Sequence, residues 1–348
     1  MCRLPLEVQA CILYYLPLAH DIGLVGLACR TLRDAAKLAL KARPFSGEVV
    51  TLAGHNAAVR TITVTSDGIV ITASDGDDED GDGEKWNVRF WRDGACVGML
   101  RTSAQHGLLH AVAALPRGRF LCGHNDQVAH VREVSTGAII HPGMIQPELF
   151  IWCVAAMPDG EHFVIGGQLP HDVLLYNDDG TLVHAFKGHS DVVNSVAATP
   201  DGQHIISGSD DKLVKVWSVA NKSLVSTCAG HTLNVSAVVA MPDCQRILSG
   251  SWNGTIRVWL LDGTPENTFR PRTFNTVQAL VALPDNQHAL SATTHIKLFN
   301  VNSGAVLRTF ANGEVVSMAL LPDGLRFVSG HANGTVRIFE TGLAPHRP

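Results

Sequence analysis

Serine, histidine and aspartate within one short stretch are the groups of nucleophilic catalysis, and this chain carries them at His189, Ser207 and Asp211. A hydrolase needs one exposed nucleophile, a base within hydrogen-bond reach and donors for the developing oxyanion. Here the trio recurs: His231, Ser249 and Asn253 repeat it 42 residues on, and each copy ends on a large aromatic, Trp217 or Trp259. Repetition beside an aromatic suits buried structural latches rather than one reacting centre. Losing a latch member would strand a buried polar group, at a cost of about 1–3 kcal/mol. A second set of chemically able residues is the acidic segment 75–84. Asp78, Asp80, Asp82 and Gly83 match the opening of a calcium loop, but its closing position is Arg89 and strands flank it. A solvated acidic loop is the simpler reading, and a contact for a basic partner is the alternative. With no metal, phosphate or nucleophile constellation, the chain is read as a non-enzyme without cofactor or metal.

What must position these residues is a repeat. Between Lys187 and Trp259 one unit is written twice: Gly188-His189, then Pro200-Asp201-Gly202, Ser207-Gly208-Ser209 and Val214 to Trp217, matched by Gly230-His231, Pro242-Asp243, Ser249-Gly250-Ser251 and Ile256 to Trp259. The turn-forming proline gives the ruler, falling at Pro116, Pro158, Pro200, Pro242, Pro284 and Pro322. A further turn without proline is Ser66-Asp67-Gly68. Valine-rich runs bounded by Pro-Asp-Gly, Ser-Gly-Ser-Asp or Asn-Gly read as four short strands per unit. A fixed period of this kind decides the architecture before any single motif does.

Units of about 40 residues with Gly-His near the start and a closing Trp resemble the WD-repeat family of β-propellers. The resemblance covers roughly Ser46 to Gly342 and implies seven blades. In that family each blade is pinned by a hydrogen-bonded His, Ser or Thr, Asp and Trp. By motif position these are His189, Ser207, Asp211 and Trp217 in the fourth blade, and His231, Ser249, Asn253 and Trp259 in the fifth. The first keeps His55, Thr72 and Trp91. Tyr176, Phe299 and Phe339 replace the Trp elsewhere and the second blade has no aromatic there, which implies looser packing in blades two, three and six. In the family the residue after the valine that opens each innermost strand tends to line the channel mouth. Matched by blade these are Arg60, His110, Trp152, Asn194, Ser236, Gln278 and Val316, with Trp252 on the same face. Two exposed Trp beside Arg, His, Asn and Gln would make a peptide-gripping site, since interface hot spots favour Trp and Arg. Packing of both Trp within loops is the alternative. Converging cations for a phosphopeptide are lacking.

Composition sets the outer bounds. The chain has 348 residues, 46% of them hydrophobic and 17% charged, with a net charge of −5. That excludes wholesale disorder and argues against nucleic acid as a partner. Eight cysteines without a Cys-x-x-Cys pair suit reduced thiols in the cytoplasm or nucleus. No apolar run approaches the roughly 20 residues that span a bilayer, so no membrane partner is expected. Glu7, Gln9 and Pro17 interrupt what could otherwise pass for a signal peptide.

The first 41 residues are different material, rich in Leu and Ala at helical spacing. Val8, Cys11, Ile12, Tyr15 and Leu16 form one stripe, Asp21 can cap a second helix, and Thr31 with Asp34 resembles a capping box for a third. Leu4-Pro5-x-Glu7, Ile12-Leu13, Tyr15-Leu16-Pro17-Leu18, Asp21, Leu24, Ala28-Cys29-Arg30 and Leu32-Arg33 resemble an F-box. The resemblance implies docking of the adaptor subunit of a cullin-based ubiquitin ligase through Leu4, Pro5, Ile12, Leu13, Leu16 and Leu24. The alternative is a helical cap on the propeller. The expected organisation is therefore a three-helix F-box-like domain at 1–43 and an all-β seven-bladed propeller at 44–348, closed by strand 48–52 on the last blade. The expected role is target recognition for a ubiquitin ligase, with a protein-interaction scaffold as the alternative.

Overall fold

The computed structural model describes residues 48–75, 86–102, 109–124, 128–140, 144–145, 150–270 and 275–343. Each repeat folds as alternation and turn chemistry dictate. In blade four the innermost strand Val193–Ala198 is followed by His204–Ser209, Leu213–Ser218 and the outer strand Ser223–Ala229, all antiparallel. The first turn is set by Asp201, whose carboxylate accepts the Thr199 hydroxyl at 2.5 Å and the Gln203 N–H at 3.0 Å, while Gly202 takes φ +70°. A short polar side chain that bonds its own backbone beside a residue free to adopt positive φ is what makes Pro-Asp-Gly a turn.

Seven four-stranded sheets result. Their innermost strands are Val59–Val64, Leu109–Leu115, Phe150–Ala156, Val193–Ala198, Val235–Ala240, Ala279–Ala282 and Val315–Leu320. Each touches the next, and the seventh touches the first, so the ring is closed. The last sheet consists of three strands from the end of the chain and Glu48–Leu52 from before blade one, with Val50 opposite Ile338 and Leu52 opposite Val336.

The core lies between blades. Gly208 is small because the next blade's Val235 lies against it: a Cβ there would come within 2.6 Å of the valine Cγ1. Some backbone N–H groups of innermost strands are satisfied by side chains across such seams. Ser195 Oγ accepts the Val238 N–H at 3.1 Å, and Thr63 Oγ1 accepts that of Ala114 at 3.0 Å. A ring that hydrogen-bonds its inner edges this way leaves few of them to recruit other chains.

Blade three departs from the loose packing expected of it. Where blade four has Ser207 and Lys215 it has Ile165 and Leu174, and Phe163 stacks on Tyr176 with centroids 5.6 Å apart. All four are buried. The polar latch is replaced by an apolar one, so the absent tryptophan costs no packing. In blade two the described part of the outer strand is Met144–Ile145. A small pocket between blades five and six is lined by Phe269, Ser291 and Phe299.

Candidate functional site

Six of the seven expected mouth positions share one backbone device. The ladder between first and second strands slips by one residue at Val59/Thr61, Leu109/Ala111, Ile151/Cys153, Val193/Ser195, Val235/Ala237 and Val315/Ser317. The residues left over are Arg60, His110, Trp152, Asn194, Ser236 and Val316. A β-bulge leaves its extra residue out of the ladder and re-aims the side chain. Here it does so at the same end of six of the seven sheets. Blade six lacks the slip because its innermost strand begins only at Ala279, and Gln278 instead donates its N–H to Ala292 O at 2.9 Å.

These residues do not share one role. Asn194 donates to Asp210 Oδ1 at 2.6 Å and to Val235 O at 3.0 Å, and Ser236 donates to Val277 O at 2.6 Å. Both stitch one blade to the next and are half-buried. Arg60 and Gln278 are exposed. Trp152 is 42% exposed and rests on His110, with ring centroids 4.6 Å apart. Trp252 is 49% exposed, and its backbone N–H donates to Asn234 O, which places it at the same end of blade five. An exposed indole held from behind offers its large apolar face to a partner at little further entropic cost.

Three more apolar residues belong to this end and were missed in the sequence: Phe150, Leu169 and Leu233, 39%, 49% and 44% exposed. Phe150 opens blade three's innermost strand opposite Gln168, which Leu169 follows, and the Leu233 carbonyl accepts Ser251 Oγ beside Trp252. A lone leucine next to a turn carries no signal until its neighbours are known. The signal available was position, since each sits within three residues of a predicted strand end.

The latches lie deeper. In blade four His189 binds Ser207 Oγ at 2.7 Å through Nε2 and Asp211 at 2.7 Å through Nδ1, and Trp217 Nε1 donates to Ser207 Oγ at 2.8 Å. Burial works to raise the Asp211 carboxyl, but bonds from His189, Leu213 and Ser190 bring it below the usual carboxylate range. In blade five His231 binds Ser249 at 2.7 Å and Trp259 donates to Ser249 at 2.8 Å. Asn253 is not the direct partner expected of it. Its amide binds Thr232 and its oxygen takes Thr255, which in turn meets His231 Nδ1 at 3.3 Å. In blade one Ser74 fills the carboxylate's place, 2.6 Å from His55, while Thr72 joins His55 and Trp91. Burial takes the His55 and His231 imidazoles down to about 4, and Arg89 and Arg257 nearby push the same way. Every serine of these latches is sealed from solvent, so none can act as a nucleophile.

Among the described residues no three of His, Cys, Asp and Glu gather to hold a metal ion, and no helix is long and apolar enough to cross a membrane. The expected adaptor-docking residues Leu4, Pro5, Ile12, Leu13, Leu16 and Leu24, and the acidic segment 76–84, lie outside the described residues. The family model for the WD domain, G-beta repeat, matches residues 180–218, 222–259 and 304–340. No curated protein matches the chain. Each matched segment covers the outer strand of one blade and the first three of the next, so the repeat in sequence is offset by one strand from the blade in space.

Proposed function

We propose, from a chain whose WD repeats close into a seven-bladed propeller, that it is the target-recognition subunit of a cullin-based ubiquitin ligase. The propeller supports a protein-binding role in general. The observation that carries the finer reading is the ordered run from Leu4-Pro5-x-Glu7 to Leu32-Arg33, placed directly before the ring. In this reading Leu4, Pro5, Ile12, Leu13, Leu16 and Leu24 form the apolar surface that docks the adaptor, and the channel mouth holds a target protein. The mechanism is proximity: tethering raises the target's effective concentration near the transferring enzyme, and the receptor itself makes and breaks no bond. The working compartment is the cytoplasm or the nucleus, where the chain's cysteines stay reduced.

A scaffold role without ubiquitin transfer is the second reading, favoured by a family match confined to the repeats. Co-purification with the adaptor separates the two. The full chain is expected to capture the adaptor, and the pair Leu13→Glu and Leu16→Glu is expected to abolish capture while the propeller's circular dichroism is unchanged. Absence of capture by the unaltered chain would establish the scaffold.

A further inference from the structure

At the channel mouth, blades three and five present apolar groups and the blade between them presents acid. On blade three stand Phe150, Trp152 and Leu169, and on blade five Leu233 and Trp252, all more than a third exposed. Between them lie Asp191 and Asp210. Asp191 is exposed, two residues before the innermost strand, and Asp210 is half-buried, directly after the second. Neither makes an ion pair among the described residues. Asp210 is held in place by the Asn194 amide at 2.6 Å, and its N–H bonds Val192 O, so its carboxylate is fixed beside the bulge. The exposed cations of blade four's neighbourhood, Lys187 and Lys212, sit farther from the hub, after an outer strand and before a third strand.

We propose that this face takes an extended segment of a partner protein in which a Lys or Arg lies between two apolar side chains. The inference rests on the target-binding reading of the mouth and specifies its chemistry. The cation would meet Asp191 and Asp210 and could pass over an indole face, while the flanking apolar side chains settle against Trp152 and Trp252. Sheets pack about 10 Å apart, so the path from blade three to blade five is on the order of 20 Å, or about six residues of extended chain. Desolvation by the two apolar wings is what gives the central charge its weight. The same carboxylates in open water would discriminate little.

The test uses the full chain and labelled synthetic peptides with two leucines about six residues apart and Arg, Lys, Gln or Glu at the centre. Fluorescence anisotropy is expected to show the Arg and Lys peptides binding about tenfold tighter than the Glu peptide. Joint Asp191→Asn and Asp210→Asn replacement, which keeps an oxygen for the Asn194 amide, is expected to bring the ratio close to one. Trp152→Ala is expected to weaken all four peptides, and the Arg and Lys peptides most. Equal binding of the Arg and Glu peptides, a ratio unmoved by the double replacement, or no binding of any peptide by folded protein each overturns the proposal. Adaptor capture by the same preparation is read independently, so a ligase receptor with a different target chemistry is told apart from a chain that is no receptor.

Discussion

His55 and His231 are buried and held neutral, which makes two of the latches sensitive to acid. An imidazole free in the unfolded chain takes its proton near pH 6.5, whereas in the fold burial, helped by Arg89 or Arg257, lowers that point to about 4. The unfolded state thus binds more protons between these values. The stability each histidine contributes is complete above about pH 6.5 and is lost as pH falls toward about 4, amounting to about 2 kcal/mol each by pH 5. Thermal midpoints should therefore fall between about pH 7.5 and pH 5, and the fall should be shallower in His231→Gln. A parallel fall in the variant would show that the imidazole does not titrate in this way. The His, Ser or Thr and Trp of these latches were legible from the resemblance to the WD repeat, but Ser74 and Thr255 were not. Ser74 follows Thr72 by two residues on one strand, so period-two alternation already put both on one face. What the sequence lacked was the knowledge that His55 would lie close enough to bond both.

Within a blade the unit of stability is the latch with its strand, and blades five and six offer a controlled comparison. Ser249 Oγ meets both His231 and Trp259. Ser291, at the same place in blade six, is fully buried, its hydroxyl has no hydrogen-bond partner among the described residues, and Phe299 stands where a tryptophan would donate. Ser249→Ala strands two buried nitrogens and should cost about 2–3 kcal/mol. Ser291→Ala removes an unsatisfied hydroxyl and should be neutral or stabilising by up to about 1 kcal/mol. Urea unfolding of both variants decides the matter, and equal losses would refute the assignment. Strand order and turns in such blades were legible because they depend on local chemistry. The bulges were not, since a bulge is a mismatch between two strands and neither one records it alone.

For the whole molecule the decisive element is the strand Glu48–Leu52, which closes the ring although it precedes the first blade in sequence. Its assignment followed from accounting for strands: the last repeat runs out after Val336–Glu340, and one spare strand stood at the beginning. Leu52, 1% exposed, joins a cluster with Trp91, Val59, Leu321 and Val336, so it ties blade one to blade seven. Ser317 Oγ donates to Val59 O across the same seam. Without the strand, the last blade would expose a full edge and the apolar side chains beneath it. Leu52→Ala should therefore cost about 2–5 kcal/mol. Leu307→Ala, on blade six's outer strand where the side chain is 53% exposed, should cost less than about 0.5 kcal/mol. Removing 46–53 should lower the unfolding midpoint far more than removing 344–348, and hydrogen exchange should then show blades one and seven opening before blades four and five. If the two truncations unfold alike, or the central blades open first, the ring is held by something other than this closure.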